Sequence, residues 1–157
     1  MTAKKEEHQH KVGTLSVNKS SLTEIAERFG LSFIVLFGSA AKGRMNKESD
    51  ADIAVWAEEE ATFGLRLTDD EETLTDWTIA LGSSLAEIIP NGEGIDLVVL
   101  NRVASLLQFQ VARRGVLLYE RVPNSWRCFK SYAARRYDDD AKFRRWQWEY
   151  LRRCYLQ

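Results

Sequence analysis

Phe33–Trp56, FIVLFGSAAKGRMNKESDADIAVW, decides how the rest of the chain is read. An apolar run closes at Gly38-Ser39, the ten residues Ala40 to Ser49 intervene, and Asp50-Ala51-Asp52 opens a second apolar run, Ile53 to Trp56. Side chains two apart on a strand share a face. Asp50 and Asp52 therefore project together, with Ala51 and Ile53 on the other side. Two carboxylates on one face repel unless a cation lies between them. Hard divalent ions such as Mg2+ take oxygen ligands of this kind and also hold substrate phosphates. A glycine directly after a strand lets a ligand approach the backbone, and a helix starting there offers free N–H groups to an anion.

The 157 residues fit one domain with a real core. Lysine and arginine (22) nearly balance aspartate and glutamate (23), so net charge supports neither a general nucleic-acid role nor a membrane-surface role. No apolar run is long enough to span a bilayer and no secretory signal opens the chain. Cys128 and Cys154 form no spaced framework, and the expectation is a reduced cytoplasmic protein.

Read in order, residues 1–19 predict a flexible tail; His8 and His10 within it are given no function. Ser21-Leu22-Thr23-Glu24 matches a capping box, with Leu22, Ile25, Ala26 and Phe29 at helical spacing and Gly30 just past the end. Phe33 to Phe37 is the first central strand, and Ala40-Ala41-Lys42 the opening turn of a short helix ended by Gly43. Lys42 and Arg44 are candidates for phosphate contact or, equally, solvated surface cations. The acidic runs at Glu58–Glu60 and Asp69–Glu72 read as a solvated loop and a helix start. From about Asp70, Leu74, Trp77, Leu81, Leu85 and Ile88 form an i+3/i+4 stripe broken at Pro90. This helix is a crossover into Ile95–Leu100 (IDLVVL), and a strand–helix–strand unit favours parallel pairing, which sets Asp52 and Asp96 at comparable depth.

Val103 to Arg113 predicts another helix, offering Leu106, Leu107, Phe109 and Val111 to the core and stopping at Gly115. Arg113 and Arg114 are explained by the favourable placement of cations at a helix C-terminus, not as triphosphate ligands. Val116 to Tyr119 is a final edge strand. Beyond Pro123 and a cap at Asn124 the chain reads as helical, interrupted near Asp138–Asp140, with Trp126, Phe129, Ala133 and Tyr137 as one buried stripe. Phe143, Trp146, Trp148, Tyr150, Leu151 and Tyr155 then crowd the last residues between arginines. One domain of this size cannot bury them all, and Trp, Tyr and Arg are enriched at interface hot spots. Residues 121–157 are thus expected to be a C-terminal helical segment carrying a partner surface, with a nucleic-acid stripe the weaker alternative.

Gly38-Ser39, the ten-residue gap and Asp50-Ala51-Asp52 resemble the signature of the DNA polymerase beta-like nucleotidyltransferase superfamily, which also needs a third carboxylate on a neighbouring strand; Asp96 fills that place. The resemblance implies an α/β (α+β) fold: a single nucleotidyltransferase domain over residues 20–120, with a mixed central sheet flanked by helices. It implies that Asp50, Asp52 and Asp96 are catalytic and hold Mg2+ (two ions, with Mn2+ able to replace them). It further implies that Gly38 and Ser39 fix the triphosphate of ATP. Family members often carry arginine where Lys42 stands; lysine keeps the charge and loses the bidentate fork.

A bare catalytic core with an aromatic-rich C-terminal helix is similar to the minimal nucleotidyltransferases, the MNT proteins encoded beside HEPN-domain ribonuclease toxins. That resemblance covers Ser20 to Tyr119 well and the rest loosely. It implies an antitoxin that transfers AMP from ATP to a tyrosine of a HEPN-domain partner. The alternatives are a small-molecule, aminoglycoside-type nucleotidyltransferase completed by dimerisation, and a non-catalytic antitoxin that masks its partner by binding.

Overall fold

Strand Leu31–Leu36 is buried along its whole length, as expected of a strand covered on both faces. The computed structural model describes residues 9–12, 15–42, 50–58, 71–89 and 94–155. Among them, β1 (Gln9–Val12) and β2 (Leu15–Asn18) pair antiparallel. They are followed by α1 (Lys19–Arg28), β3 (Leu31–Leu36) and β4 (Ala51–Ala57). Next come α2 (Glu71–Ile88), β5 (Ile95–Val99), α3 (Ser105–Arg114) and β6 (Val116–Glu120). Two helices, α4 (Ser125–Asp139) and α5 (Ala141–Tyr155), complete the described chain.

The main sheet has the order β5-β4-β3-β6. β3 pairs antiparallel with both β4 and β6, while β4 and β5 are parallel, as the α2 crossover requires. Alternation along the strands builds two cores. Ile34, Leu36, Ile53 and Val55 pack against Leu22, Ile25 and Phe29 of α1 and Leu81 and Leu85 of α2. Phe33, Val35 and Ala54 face the other way, onto Val111 of α3 and Trp126, Phe129 and Ala133 of α4. Each sheet face thus has its own pair of helices, and the residues on the α3/α4 face are the even-numbered ones of β4.

Several local expectations change. Gln9–Val12 and Leu15–Asn18 form a hairpin where a flexible tail was expected, with His10 opposite Val17; residues 1–8 lie outside the described residues. α1 begins ahead of the Ser21 capping box, because the Asn18 side chain accepts the Ser20 N–H at 2.9 Å. An asparagine carbonyl at that position satisfies one of the orphan donors of the first turn. Gly30 does follow the helix end in a left-handed conformation, φ 62°.

In α3 the buried positions are Ser105, Gln108, Val111 and Ala112, and Leu106 is exposed. Gln108 is a polar residue in the core: its amide donates to Leu100 O at 2.7 Å and accepts from Arg136 Nη1 of α4 at 3.2 Å. Those two bonds satisfy a group that would otherwise be costly to bury. Asn124 precedes α4 in a left-handed conformation and its side chain does not cap. The cap comes from β6, where the Glu120 carboxylate accepts the Trp126 N–H at 2.8 Å.

α4 buries Trp126, Phe129 and Ala133 as predicted, and Tyr137 stacks on Phe109 at 4.3 Å between ring centroids. α5 differs. Phe143 (55%), Trp146 (63%), Tyr150 (68%) and Trp148 (74%) are largely exposed. No helix among the described residues is long and apolar enough to cross a membrane.

Candidate active site

One end of the sheet gathers the chemistry. In the parallel β4–β5 pair Asp52 lies opposite Asp96. Both share the face of Ala54 and Val98, the α3/α4 face, because residues two apart along a strand point the same way. Asp50 immediately precedes β4 and is exposed, as is Asp96; Asp52 is half-buried. The next strand over, β3, reaches the same level, where the Phe37 N–H donates to the Asp52 carbonyl at 2.9 Å. The chain then turns at Gly38 and Ser39 into a 3-10 turn, Ala40–Lys42.

Gly38 adopts φ +69°. This left-handed conformation is costly for a residue with a Cβ. Space forbids one as well: a Cβ at Gly38 would lie 1.9 Å from Asp52 Oδ2. The Ser39 N–H hydrogen-bonds to the Asp52 carboxylate. The turn therefore does more than offer a cradle; it sets the orientation of Asp52. Gly94 plays a similar part just ahead of β5, since a Cβ there would meet Asp50 Oδ1 at 2.9 Å.

Burial raises the Asp52 pKa above the ordinary carboxylate value, the Asp96 charge raises it further, the Ser39 hydrogen bond opposes the rise, and Asp50 adds to it. Like charges facing one another are the expected signature of an acidic site that awaits a cation. Among the described residues no three acidic, histidine or cysteine side chains are already gathered closely enough to hold an ion. The donor set nonetheless suits a hard divalent ion: carboxylate oxygens at one level on one sheet face, two of the three on exposed side chains that can turn.

Of the other sequence candidates, Lys42 closes the 3-10 turn beside Gly38-Ser39, while Arg44 lies outside the described residues. Arg114 was assigned to helix electrostatics in the sequence, and the structure gives it a second surrounding. It lines a cavity of about 250 Å³ together with Phe37, Gly38, Leu107 and Gln110. Its signal lay in α3: Leu107, Gln110 and Arg114 are spaced i, i+3, i+7, one stripe of a helix.

Residues 20–124 match the family model described as polymerase beta, nucleotidyltransferase. The chain belongs to this nucleotidyltransferase family. The nucleotidyltransferase is 34% identical over 114 residues to protein adenylyltransferase MntA of Aphanizomenon flos-aquae (strain 2012/KM1/D3), covering 71% of this chain and 73% of that one. Its fold is similar to a chain of the crystal structure of a toxin-antitoxin with AMP-PNP, with a TM-score of 0.62, 23% identity, and coverage of 86% of this chain and 98% of that chain. It is also similar to a chain of the structure of a tri-AMPylated Shewanella oneidensis HEPN toxin in complex with MNT antitoxin, with a TM-score of 0.56, 21% identity, and coverage of 85% and 94%.

Proposed function

We propose that this nucleotidyltransferase is an antitoxin that transfers AMP from ATP to a tyrosine hydroxyl of a HEPN-domain ribonuclease toxin and so neutralises it. The reading rests on one observation above the others: Asp52 and Asp96 stand opposite each other on adjacent strands, beside the Gly38-Ser39 turn. The 34% identity to a protein adenylyltransferase supports AMP transfer to a protein over transfer to an antibiotic.

In this mechanism the tyrosine oxygen attacks the alpha-phosphorus of ATP. A new P–O bond forms as the bond to the beta-phosphate oxygen breaks, and pyrophosphate leaves. Asp96, exposed at the rim, accepts the hydroxyl proton, a role worth about 10²–10⁴-fold in rate. The Gly38-Ser39 turn holds the polyphosphate against the acidic pair and, through the Ser39 N–H, keeps Asp52 in position. Lys42, which closes the 3-10 turn after Gly38-Ser39, and Arg44 are assigned to phosphate contact on sequence grounds alone. We assign Mg2+ (two ions, replaceable by Mn2+) to Asp50, Asp52 and Asp96; when bound, it neutralises the developing charge on the entering and leaving oxygens.

We assign residues 121–157, and the exposed aromatics of α5 in particular, to the surface that docks the partner. The unpaired, exposed Cys128 and Cys154 suit a reducing cytoplasm. Incubating the purified chain with ATP, Mg2+ and a co-encoded HEPN protein should raise the intact mass of that protein in steps of one AMP. An unmodified partner in a fully formed complex overturns the catalytic reading and leaves neutralisation by binding.

A further inference from the structure

We propose that Arg114 is a nucleotide-binding residue, gripping the polyphosphate of the donor on the side of the Gly38 turn opposite the carboxylates. The proposal rests on the nucleotidyltransferase reading above and extends it to a residue on a different element. Strand register places the groups in a row. Asp96 is opposite Asp52, Ile53 is opposite Leu36, and Leu36 is opposite Val116. Arg114 is two residues before Val116, so it emerges at the same sheet end as Asp52, Gly38 and Asp96. Neighbouring strands are spaced about 4.8 Å apart, which puts β6 roughly 10 Å from β4.

The helix carrying Arg114 also covers the correct face. α3 packs through Val111 on the side of the sheet that bears Val35 and Ala54, the side to which Asp52 and Asp96 point. Leu107, Gln110 and Arg114 form the stripe that lines the cleft against Phe37 and Gly38. A polyphosphate lying beside three carboxylates needs positive charge at its far end, and a guanidinium offers a planar fork that matches phosphate oxygens. Arg114 is the cation lining this cleft among the described residues. Helix electrostatics alone would treat Arg113 and Arg114 alike, but Arg113 does not line the cleft. Arg113 is therefore the built-in control.

The test is calorimetric titration of AMP-PNP with Mg2+ into the wild-type chain and the variants R114A, R114K and R113A, with thermal unfolding run alongside. Losing a hydrogen bond to a charged group weakens binding by roughly tenfold or more. R114A is expected to show that loss, R114K to recover part of it, and R113A to bind as the wild type does. In the transfer assay the R114A change should fall on the KM for ATP, with kcat at saturation nearly kept. Wild-type protein that binds no nucleotide overturns the nucleotidyltransferase reading itself. Wild-type protein that binds, with R114A within twofold of it, overturns only the assignment of Arg114. Should R114A fail to fold, R114Q and R114K carry the same comparison.

Discussion

The Asp52 carboxylate occupies the space that a side chain at position 38 would need. Its Oδ2 lies 1.9 Å from where a Cβ on Gly38 would stand, and Gly38 itself holds φ +69°. The two residues are fourteen apart in sequence, yet a side chain at position 38 cannot be added without moving Asp52.

Gly38→Ala should therefore damage the site more than the fold. The left-handed backbone costs about 1–2 kcal/mol with a Cβ present, and the clash must be relieved by turning Asp52 away. A displacement near 1 Å at a reacting centre costs on the order of 100-fold in rate. Urea denaturation should show the small loss in stability and the AMP-transfer assay the large loss in activity. Near-normal transfer would mean that the turn does not set Asp52.

Asp52→Asn separates charge from shape. Burial and, next, the Asp96 charge raise the Asp52 pKa. A raised carboxylate contributes stability that is present below its unfolded value and lost as pH climbs through its folded value. The metal-free wild type should lose stability across that interval, and the Asn variant should lose less, ending with the higher Tm at neutral pH. Transfer should be abolished in the variant. In the wild type it should rise as pH passes the folded value, because only the ionised group can serve. Adding Mg2+ should raise the Tm of the wild type and leave that of the variant nearly unmoved; equal responses would remove Asp52 from the ion site.

Asp96→Asn removes the proposed proton acceptor and one proposed ion ligand, and lifts the charge that helps raise the Asp52 pKa, while leaving the Gly38 turn in place. Transfer should fall by about 10²–10⁴-fold while the complex with the partner still forms in size-exclusion chromatography. Because Asp96 is exposed at the start of β5, its loss should leave the unfolding midpoint close to that of the wild type.

Glu120→Ala tests the capping of α4. The carboxylate accepts the Trp126 N–H at 2.8 Å, and losing a cap of this kind costs about 1 kcal/mol. A shift in the denaturation midpoint with an unchanged slope is the expected outcome. No shift would place the cap elsewhere.

Trp148→Ser addresses the partner surface. The ring is 74% exposed, so the substitution should not reduce the stability of the free chain. If it is an interface anchor, affinity for the HEPN protein should drop by about 2 kcal/mol, some thirtyfold. Calorimetry with the intact partner measures that loss, and unchanged affinity would move the docking surface off this part of α5.

The site was legible wherever a short-range pattern carries long-range consequences. Asp96 could be placed beside Asp52 because a helical crossover between two apolar strands favours parallel pairing, and the observed register is Asp52 opposite Asp96. The central position of β3 was expected from the apolar run Phe33–Phe37, and the sheet order places β3 between β4 and β6. Other features depend on what a residue meets rather than on what it is. Asn18 and Ser21 both belong to capping types, and only the backbone shows that Asn18 does the capping. Gln108 looks like a surface residue until Leu100 and Arg136 supply its partners. Arg114 has a sufficient local explanation at a helix end, and its neighbours across the cleft, Phe37 and Gly38, come from the turn after β3, almost eighty residues earlier. The β1–β2 hairpin carries no strong alternation to announce it.

The exposed ridge on α5 has a cost while it stands uncovered. Soluble chains rarely leave several large rings together in water, since such surfaces invite self-association and the attention of chaperones and proteases. If α5 is the docking surface proposed above, a copy without its counterpart should be turned over faster than one in the complex.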